Sequence, residues 1–400
     1  MPLTLLCIAT YHKGDEFLRE CRRQGCRVLL LTDETLRDAD WPREAIDAFY
    51  YTRRDMPEAD IRKGAAYLAR TERLDRIVAL DDFDVETAAM LREYLHVPGM
   101  GTTTGRGFRD KLAMRARARA AGIPCPDFVH VVNNDVLREW TSRVAGPWVL
   151  KPRSQAAAIG IRKIAGVDEL WQTLDALGDE RPEYLLEQFV PGDVFHVDSL
   201  VFDRRVVFAS ASRYGTPPMA VAHEGGIFVT RTLSDADPDA AALKALNAKL
   251  LDAFGMRRGV SHTEFIVARD AAPGGRHYFL ETSARVGGAY IVDVVEAATG
   301  VNLWREWAKI EIAGEHGAYG PPAPDDRCAG IVLSLARQEW PDMTAYDDPE
   351  IVMKVKKRHH AGVIVASDDA ARVRQLLESY PPRFYAEFHA SAPPPARATD

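Results

Sequence analysis

The sequence predicts an α/β protein that opens with a parallel, Rossmann-like sheet, becomes strand-rich (α+β) in its central part and closes with a small α/β unit. The first observation is an alternation of apolar and amphipathic segments, which predicts a strand over 3–10, a helix over 14–24, strands over 26–31 and 76–80, and a helix over 85–94. This order is typical of parallel strands joined by right-handed crossovers. Residues 10–14 read T-Y-H-K-G rather than the G-x-G-x-x-G fingerprint, so we do not expect a dinucleotide after the first strand.

The second observation is a change of texture near residue 100. A turn-rich segment, 98–105, precedes a predicted helix over 107–121 that ends at Gly122 and two nearby prolines. Arg115, Arg117 and Arg119 lie two residues apart and so fall on different faces of this helix. We therefore expect them on a solvated surface rather than in a nucleic-acid-binding stripe.

The third observation is that strands dominate the remainder, with helices between them. The pattern predicts strands over 147–151, 184–190, 260–268 and 277–282, a hairpin of 195–202 with 205–212, a helix over 240–254, strands over 328–336 and 362–366, and a helix over 368–379. We expect three units, 1–106, 107–325 and 326–390, with a subdomain at about 124–190 inside the second. The proline-rich tail 391–400 is expected to be disordered.

Composition excludes several classes of protein. The 400 residues are 46% hydrophobic and carry a net charge of −7, whereas a nucleic-acid-binding protein is usually basic. No apolar segment approaches the ~20 residues that cross a bilayer, and the first residues do not have the pattern of a signal peptide. The five cysteines form no C-x-x-C pair, which indicates reduced thiols and a cytoplasmic location.

The segment 259–285 predicts an antiparallel hairpin that carries two glutamates. If its apolar residues set the register, Phe265 faces Leu280, Val267 faces Tyr278, Glu264 faces Glu281 and His262 faces Ser283. Opposed carboxylates repel unless a cation lies between them, and oxygen ligands with a hydroxyl beside them suit Mg²⁺ or Mn²⁺. The alternative is a solvated face on which neighbouring Lys or Arg side chains neutralise the charge.

Two lysines and a loop of small residues are candidates for binding phosphate. Lys111 opens the long helix, and Lys151 ends an apolar strand, from which its ammonium can reach phosphate oxygens or extend to solvent. After Lys151, the loop between Ser154 and Gly160 can fold backbone N–H groups over phosphates, although the chain has no P-loop motif.

Two further segments carry weaker indications. Glu187 to Gly192 ends a strand at a Pro-Gly turn, which can offer an acceptor and backbone groups to a purine edge or is an ordinary strand end. The glycine-rich segment 214–230, which contains His223, lines an acceptor site or is an ordinary connection.

Taken in order, these segments resemble the ATP-grasp superfamily. The resemblance spans roughly residues 1–390 and is carried by Asp110-Lys111, Leu150-Lys151-Pro152 with its small-residue loop, Glu187-x-x-Val190-x-Gly192, Val197-Asp198, Glu264, and Glu281-Thr282-Ser283-Ala284-Arg285 followed by Gly287-Gly288. The fold it implies is a Rossmann-like domain (1–106), an ATP-grasp domain (107–325) with a lid (about 124–190), and a small C-terminal subdomain.

The resemblance also implies a role for each matching position. Lys111, Lys151 and the loop from Ser154 to Gly160 hold the ATP phosphates; Glu187 accepts from the adenine amino group; the Phe189 and Val190 backbone pairs with the ring; Glu264, Glu281 and Ser283 hold two Mg²⁺; Arg285 is catalytic and, with Gly287 and Gly288, binds substrate. His223 is a further candidate substrate residue because of its glycine-rich segment, not because of the resemblance. Ser283 stands where Asn is frequent, and Val194 stands near the place where an acid often binds ribose, so no ribose contact is assigned.

The function implied is an ADP-forming ligase that joins a carboxylate, such as an amino acid, to an amine through an acyl phosphate. Alternatives are a biotin-carboxylase-like enzyme and a catalytically inactive nucleotide-binding regulator. The expected cofactors are ATP and Mg²⁺ or Mn²⁺, and the expected partners are small molecules rather than nucleic acid or membrane; a homodimer is compatible with this scheme.

Overall fold

Three sheets organise the residues that the computed structural model describes, which are 2–53, 55–156, 158–269 and 277–391, with backbone alone at 222–224. The tail predicted to be disordered lies, from residue 392 onward, outside the described residues. Within the described ranges, no helix combines the length and the apolar character that a bilayer crossing requires.

The first sheet is parallel throughout, which confirms the predicted fold class of the N-terminal part. Its strands are β1 (Thr4–Ala9), β2 (Arg27–Asp33), β3 (Ala48–Thr52) and β4 (Arg76–Ala79), and the helices are α1 (Asp15–Arg23), α2 (Glu58–Leu68), α3 (Val85–Leu95) and α4 (Thr102–Arg106). The order across the sheet is β3-β2-β1-β4. Every residue of β1 is buried, as expected of an inner parallel strand, whereas the additional strand β3 forms a half-buried edge.

The second sheet is small and antiparallel, in the order β5-β8-β6-β7. Its strands are β5 (Phe128–His130), β6 (Trp148–Pro152), β7 (Arg162–Ile164) and β8 (Tyr184–Gln188), accompanied by α5 (Lys111–Ala120), α6 (Asn134–Arg143) and α7 (Val167–Leu177). Helix α5 begins at Lys111 rather than at 107, because the Asp110 carboxylate accepts from the backbone N–H of Leu112 at 2.9 Å and caps the helix there.

The third sheet has the order β13-β12-β9-β10-β11-β14-β16-β15. Its strands are β9 (Gly192–Phe202), β10 (Arg205–Tyr214), β11 (Phe228–Thr232), β12 (Gly259–Ala268), β13 (His277–Ser283), β14 (Cys328–Leu335), β15 (Ile351–Lys354) and β16 (His360–Ser367), and the helices are α8 (Pro218–Glu224), α9 (Pro238–Phe254), α10 (Ile291–Thr299), α11 (Leu303–Ala313) and α12 (Ala370–Glu387). Since β14 pairs with β11, the C-terminal strands continue the central sheet.

Two local features of this sheet follow from backbone chemistry and packing. The predicted hairpin of β9 and β10 is confirmed, and its two turn residues, Asp203 and Arg204, both have positive φ, as a two-residue hairpin turn requires. Helix α12 continues past the predicted end at 379 and through two prolines, because Tyr380 and Phe384 are fully buried in the core beneath the sheet.

Candidate active site

Helix α5 and the second sheet form one wall of what we call the cleft, and β9, β12 and β13 of the third sheet form the other; α5 and β13 are in contact across it. Lys111, the first residue of α5, connects the two walls. Its Nζ lies 3.0 Å from Oε2 of Glu281 on β13 and donates at 2.6 Å to the carbonyl of Gln155 in the small-residue loop. Lys111 is buried, so its ammonium lies inside the cleft rather than in solvent.

Lys151 does not extend to solvent either. Its Nζ lies 2.6 Å from Oε2 of Glu187, and Nε of Arg115 lies 2.8 Å from Oε1 of the same carboxylate. Burial lowers the pKa of Lys151, and the charge of Glu187 opposes that shift. Burial would raise the pKa of Glu187, but Arg115 and Lys151 hold it below its usual range, so the carboxylate stays ionised.

The expectation that the helix arginines form a solvated face is wrong for Arg115, although Arg119 is exposed and Arg117 is half-buried. The Arg115 side chain has no exposed surface, and its guanidinium lies 5.4 Å from the centre of the Phe279 ring. The physical reason is a carboxylate partner on β8, Glu187, which compensates the cost of burying the charge.

Glu187 therefore contacts a cation with each carboxylate oxygen, and its suggested contact with an adenine amino group stays a prediction. Phe189 and Val190 follow β8 directly. The backbone N–H of Phe189 donates to the Pro147 carbonyl at 3.1 Å, and Val190 packs against the small apolar cluster of Val194, Tyr214 and Ile266.

The loop between Ser154 and Gly160 is attached to the cleft at its first residues, and Ala157 lies outside the described residues. The Ser154 carbonyl accepts from Arg109, next to the bond between Gln155 and Lys111. Gly160 has φ +73°, and a Cβ there would come within 2.8 Å of Pro152, so this turn requires glycine.

The predicted opposition of the two glutamates is confirmed, because Glu264 pairs with Glu281 and His262 with Ser283. Glu264 is buried and accepts from the Tyr214 hydroxyl at 2.8 Å. Burial would raise the pKa of Glu281, but Lys111 and Lys151 lower it to about 2. Both carboxylates therefore lie on one face of the hairpin, in the cleft.

The predicted register is wrong beyond Glu264. A bulge between Glu264 and Phe265 pairs Phe265 with Phe279, Ile266 with Tyr278 and Val267 with His277. The bulge places Phe279 in the core, where its ring centre lies 6.3 Å from that of Phe265. Leu280 is half-buried instead, because alternation alone does not distinguish one apolar residue from its neighbour.

Three candidate substrate residues follow β13 directly in the chain. Arg285 is half-buried, and its Nη1 donates to the Val286 carbonyl at 2.7 Å. Gly287 is packed so closely that a Cβ would come within 3.0 Å of Oδ1 of Asp198, whereas Gly288 is exposed. The fourth, His223, lies in α8, and its side chain is outside the described residues.

A buried network that the sequence did not reveal lies beneath this segment. Asp198 accepts from both His196 Nδ1 at 2.7 Å and His262 Nδ1 at 2.8 Å. Burial would raise the pKa of Asp198, but the two histidines hold it well below its usual range; burial lowers the pKa of His262, but Asp198 raises it to about 9. The three residues come from β9 and β12 and meet only through the sheet pairing.

This donor set fits a divalent metal ion bound together with an anionic ligand. Glu264, Glu281 and Ser283 offer hard oxygen atoms on one face, and two buried ammonium groups lie opposite. The alternative is a solvated hairpin face on which neighbouring Lys or Arg side chains neutralise the charge. It applies in one respect, because Lys111 pairs with Glu281.

Part of the chain is similar in sequence to a known protein. No family model matches the chain. Over 245 residues it is 26% identical to an L-arginine-specific L-amino acid ligase of Bacillus subtilis, a match that covers 60% of this chain and 58% of that protein. The chain therefore matches rather more than half the length of this relative.

Solved structures share the whole architecture. An L-amino acid ligase from Bacillus licheniformis superposes with a TM-score of 0.72 at 18% identity, covering 97% of this chain and 98% of that one. The biotin carboxylase domain of a 2-oxoglutarate carboxylase from Hydrogenobacter thermophilus, solved with MgADP, ADP and bicarbonate, gives 0.69 at 16% identity, covering 94% and 89%. At these identities the likeness establishes the fold.

Proposed function

We propose that this chain, which has the ATP-grasp fold that its sequence predicts, is an ATP-dependent, ADP-forming ligase that joins the carboxylate of an amino acid or small acid to an amine. The observation that carries the proposal is the cleft in which Lys111 and Lys151 face Glu264 and Glu281, with Lys111 and Glu281 in contact at 3.0 Å. The L-amino acid ligases with which the chain aligns support the same reaction class.

Lys111 and Lys151 would bind the phosphates of ATP, and the loop from Ser154 to Gly160 would close over them. The region 124–190 would act as the lid that carries this loop. Mg²⁺, held by Glu264, Glu281 and Ser283, would neutralise phosphate charge and polarise the transferred phosphoryl group. Both lysine ammonium groups are paired with carboxylates, so bound phosphates would exchange one anionic partner for another.

The chemistry needs positioning more than covalent participation by the protein. A carboxylate oxygen of the substrate attacks the γ-phosphorus, the bond to the β-phosphate oxygen breaks, and ADP leaves with an acyl phosphate remaining. A deprotonated amine then attacks the acyl carbon and displaces inorganic phosphate. The Arg285 guanidinium and the backbone N–H groups of Gly287 and Gly288 would hold the carboxylate and stabilise the oxyanion of the tetrahedral adduct.

Two alternatives have a specific basis. A biotin-carboxylase-like activity is suggested by the likeness to the Hydrogenobacter domain, and would use bicarbonate in place of an amino acid. A regulator without turnover would bind nucleotide through the same lysines.

We also propose a cytoplasmic location, because the five cysteines are free thiols.

The test is an ADP and phosphate assay with Mg²⁺ over all pairs drawn from the common amino acids, with product masses recorded. Dipeptide formed in step with ADP supports the proposal. Phosphate release that needs bicarbonate and biotin would indicate a carboxylase, and nucleotide binding without turnover on any pair would indicate a regulator.

A further inference from the structure

One carboxylate oxygen of Glu264 accepts a hydrogen bond from Tyr214 and lies at ion-pair distance from His262. The Tyr214 hydroxyl donates to Oε1 at 2.8 Å, and Nε2 of His262 lies 3.7 Å from the same atom. Tyr214 is on β10 and His262 on β12, so the two contacts come from different strands. Because the position of one carboxylate oxygen determines the direction of the other, these contacts orient the second oxygen of Glu264 relative to the cleft.

His262 is itself held in place by a chain of buried contacts. Its Nδ1 donates to Asp198 Oδ1, the other oxygen of Asp198 accepts from His196, and His196 Nε2 lies 2.8 Å from the Thr230 hydroxyl. Each imidazole therefore has a partner at both nitrogens. The side chains of His196, Asp198 and His262 are between 0% and 9% exposed, so solvent cannot substitute for these partners.

Rings close the space around this chain. The His196 ring centre lies 4.7 Å from that of Tyr214 and 5.1 Å from that of His262. Gly287 packs against Asp198 from the direction of the substrate segment. Movement of Tyr214 or His262 would require repacking of the group, which makes it a rigid support.

We propose that Tyr214 and the chain Thr230–His196–Asp198–His262 form an orienting layer that fixes Glu264 as a ligand for the divalent metal ion. The inference rests on the proposed function, in that it takes Glu264 to bind metal. Partners of this kind, one bond behind a ligand, commonly change metal affinity by about 10- to 100-fold when they are removed. Tyr214 and His262 are thus positioning residues, since they act through Glu264.

A competing interpretation is that the cluster binds a metal ion itself. Ligand atoms of His196, Asp198 and His262 lie within 4.8 Å of one another. However, both Nδ1 atoms are at hydrogen-bonding distance from Asp198, and the protons in those bonds occupy the positions that a metal would need. We therefore favour the hydrogen-bonded layer and make metal content an outcome of the test.

The test measures Mn²⁺ binding, by electron paramagnetic resonance, to the full chain saturated with a non-hydrolysable ATP analogue. Tyr214→Phe keeps the ring and removes the hydroxyl, and we expect Mn²⁺ to bind about 10- to 100-fold more weakly while metal-free binding of the analogue is unchanged. The matched control is Tyr346→Phe, which removes another buried tyrosine hydroxyl, bonded to Glu387 at 3.0 Å in the C-terminal core, and should leave Mn²⁺ affinity unchanged.

A second variant tests the chain behind His262. Asp198→Asn should weaken Mn²⁺ binding in the same direction, and the double variant with Tyr214→Phe should lose less than the two single losses combined, because both act through one carboxylate. Unchanged Mn²⁺ affinity in a folded Tyr214→Phe protein overturns the proposal. Stoichiometric transition metal in the purified protein, lost in His196→Ala, also overturns it in favour of a metal cluster.

The readout separates this inference from the proposed function. Wild-type protein that binds Mn²⁺ with the analogue, loses it on Tyr214→Phe, yet forms no amide with any substrate pair would support the orienting layer and contradict the ligase. Wild-type protein that binds no Mn²⁺ with the analogue would contradict both the metal site and its orienting layer.

Discussion

The two walls of the cleft both carry charged side chains, but the excess charge of one is opposite in sign to that of the other. The wall made by α5, β6 and β8 carries Lys111, Arg115 and Lys151, and the last two pair with the carboxylate of Glu187. The sheet-side wall, made by β9, β12 and β13, gathers Asp198, Glu264 and Glu281 with two histidines. One wall has an excess of cations and the other an excess of carboxylates.

The difference between the two walls supports the proposed ligand of the cleft. Buried charges are costly unless paired, and here the pairing across the cleft depends on the contact of Lys111 with Glu281. A polyphosphate bound with divalent cations supplies anions to the first wall and cations to the second.

The largest effect is expected on the sheet-side wall. Glu281→Gln keeps the shape but removes a charge and a hard ligand, so turnover should fall by more than the ~100-fold typical of losing a ligand's outer partner, and should require more Mg²⁺. Turnover is measured against Mg²⁺ concentration. The control is Glu339→Gln, an exposed glutamate paired with Arg358; a Glu281 variant that matches the wild-type rate and Mg²⁺ dependence would remove Glu281 from the metal site.

A change at Arg285 should affect ligation but not nucleotide binding. Arg285→Lys keeps the charge but loses the planar fork, so amide formation should fall by about 10²–10³ while ATP affinity survives. Both quantities are measured on the same preparation, with Arg204→Lys, a surface arginine paired with Asp252, as control. If ATP binding is lost together with ligation, Arg285 supports the nucleotide or the fold instead.

On the wall made by α5, β6 and β8, Lys151→Met should weaken ATP binding by about ten- to hundredfold. This corresponds to the loss of a charge-assisted contact that contributes about 1.5–3 kcal/mol. Arg115 still pairs with Glu187 in this variant, which keeps the buried carboxylate compensated. Binding is titrated calorimetrically after the melting temperature confirms folding. Lys244→Met, a lysine of α9 that pairs with Asp235, is the control; a Lys151 variant with wild-type ATP affinity would exclude Lys151 from the phosphate site.

The smallest effect concerns a buried acid outside both walls. Burial and then Asp81 raise the pKa of Asp84 to about 7, whereas cations lower that of Glu281 to about 2. Thr10 donates twice to Asp84, and Lys13 pairs with Asp81. Because a raised pKa means that the folded state binds the proton more tightly, the stability that this group contributes is complete below about pH 4 and is lost as the pH rises through about 7.

Asp84→Asn should therefore stabilise the protein relative to wild type at pH 8 more than at pH 5, and the melting temperatures of both proteins at the two pH values check this. If the two melting temperatures differ by the same amount at both pH values, the pKa of Asp84 is not raised in the folded protein.

Contacts in this site that depend on local sequence pattern were predictable, whereas contacts that depend on the pairing of distant strands were not. The opposition of Glu264 and Glu281 was predictable, because alternation along two strands joined by one turn determines it. The register beyond Glu264 was not, because Phe279 and Leu280 are both apolar and only packing selects Phe279 for the core. The parallel N-terminal sheet was predictable from its alternating elements, although the edge strand β3 was missed.

Arg115 was assigned to the wrong environment because the helical period locates faces but not partners. Its partner, Glu187, is on a strand far along the chain, and no local pattern connects them. His196 and Tyr214 were missed for the same reason, since they reach Glu264 and Asp198 only through the order of strands β10, β9 and β12. The spacing of His196 and Asp198 on one strand face was the available signal, and it gained meaning only once β12 was paired beside it.

The most direct test of the proposed ligase follows an oxygen atom. Amino acids labelled with ¹⁸O in the carboxylate are incubated with the protein, ATP, Mg²⁺ and an amine, and the phosphate and nucleotide products are analysed by mass spectrometry. Attack of the carboxylate on the γ-phosphorus places one ¹⁸O in inorganic phosphate and none in the nucleotide, which is released as ADP. Label recovered in AMP would indicate an acyl adenylate, and unlabelled phosphate accompanying amide formation would show that the carboxylate is not phosphorylated; either result contradicts the account.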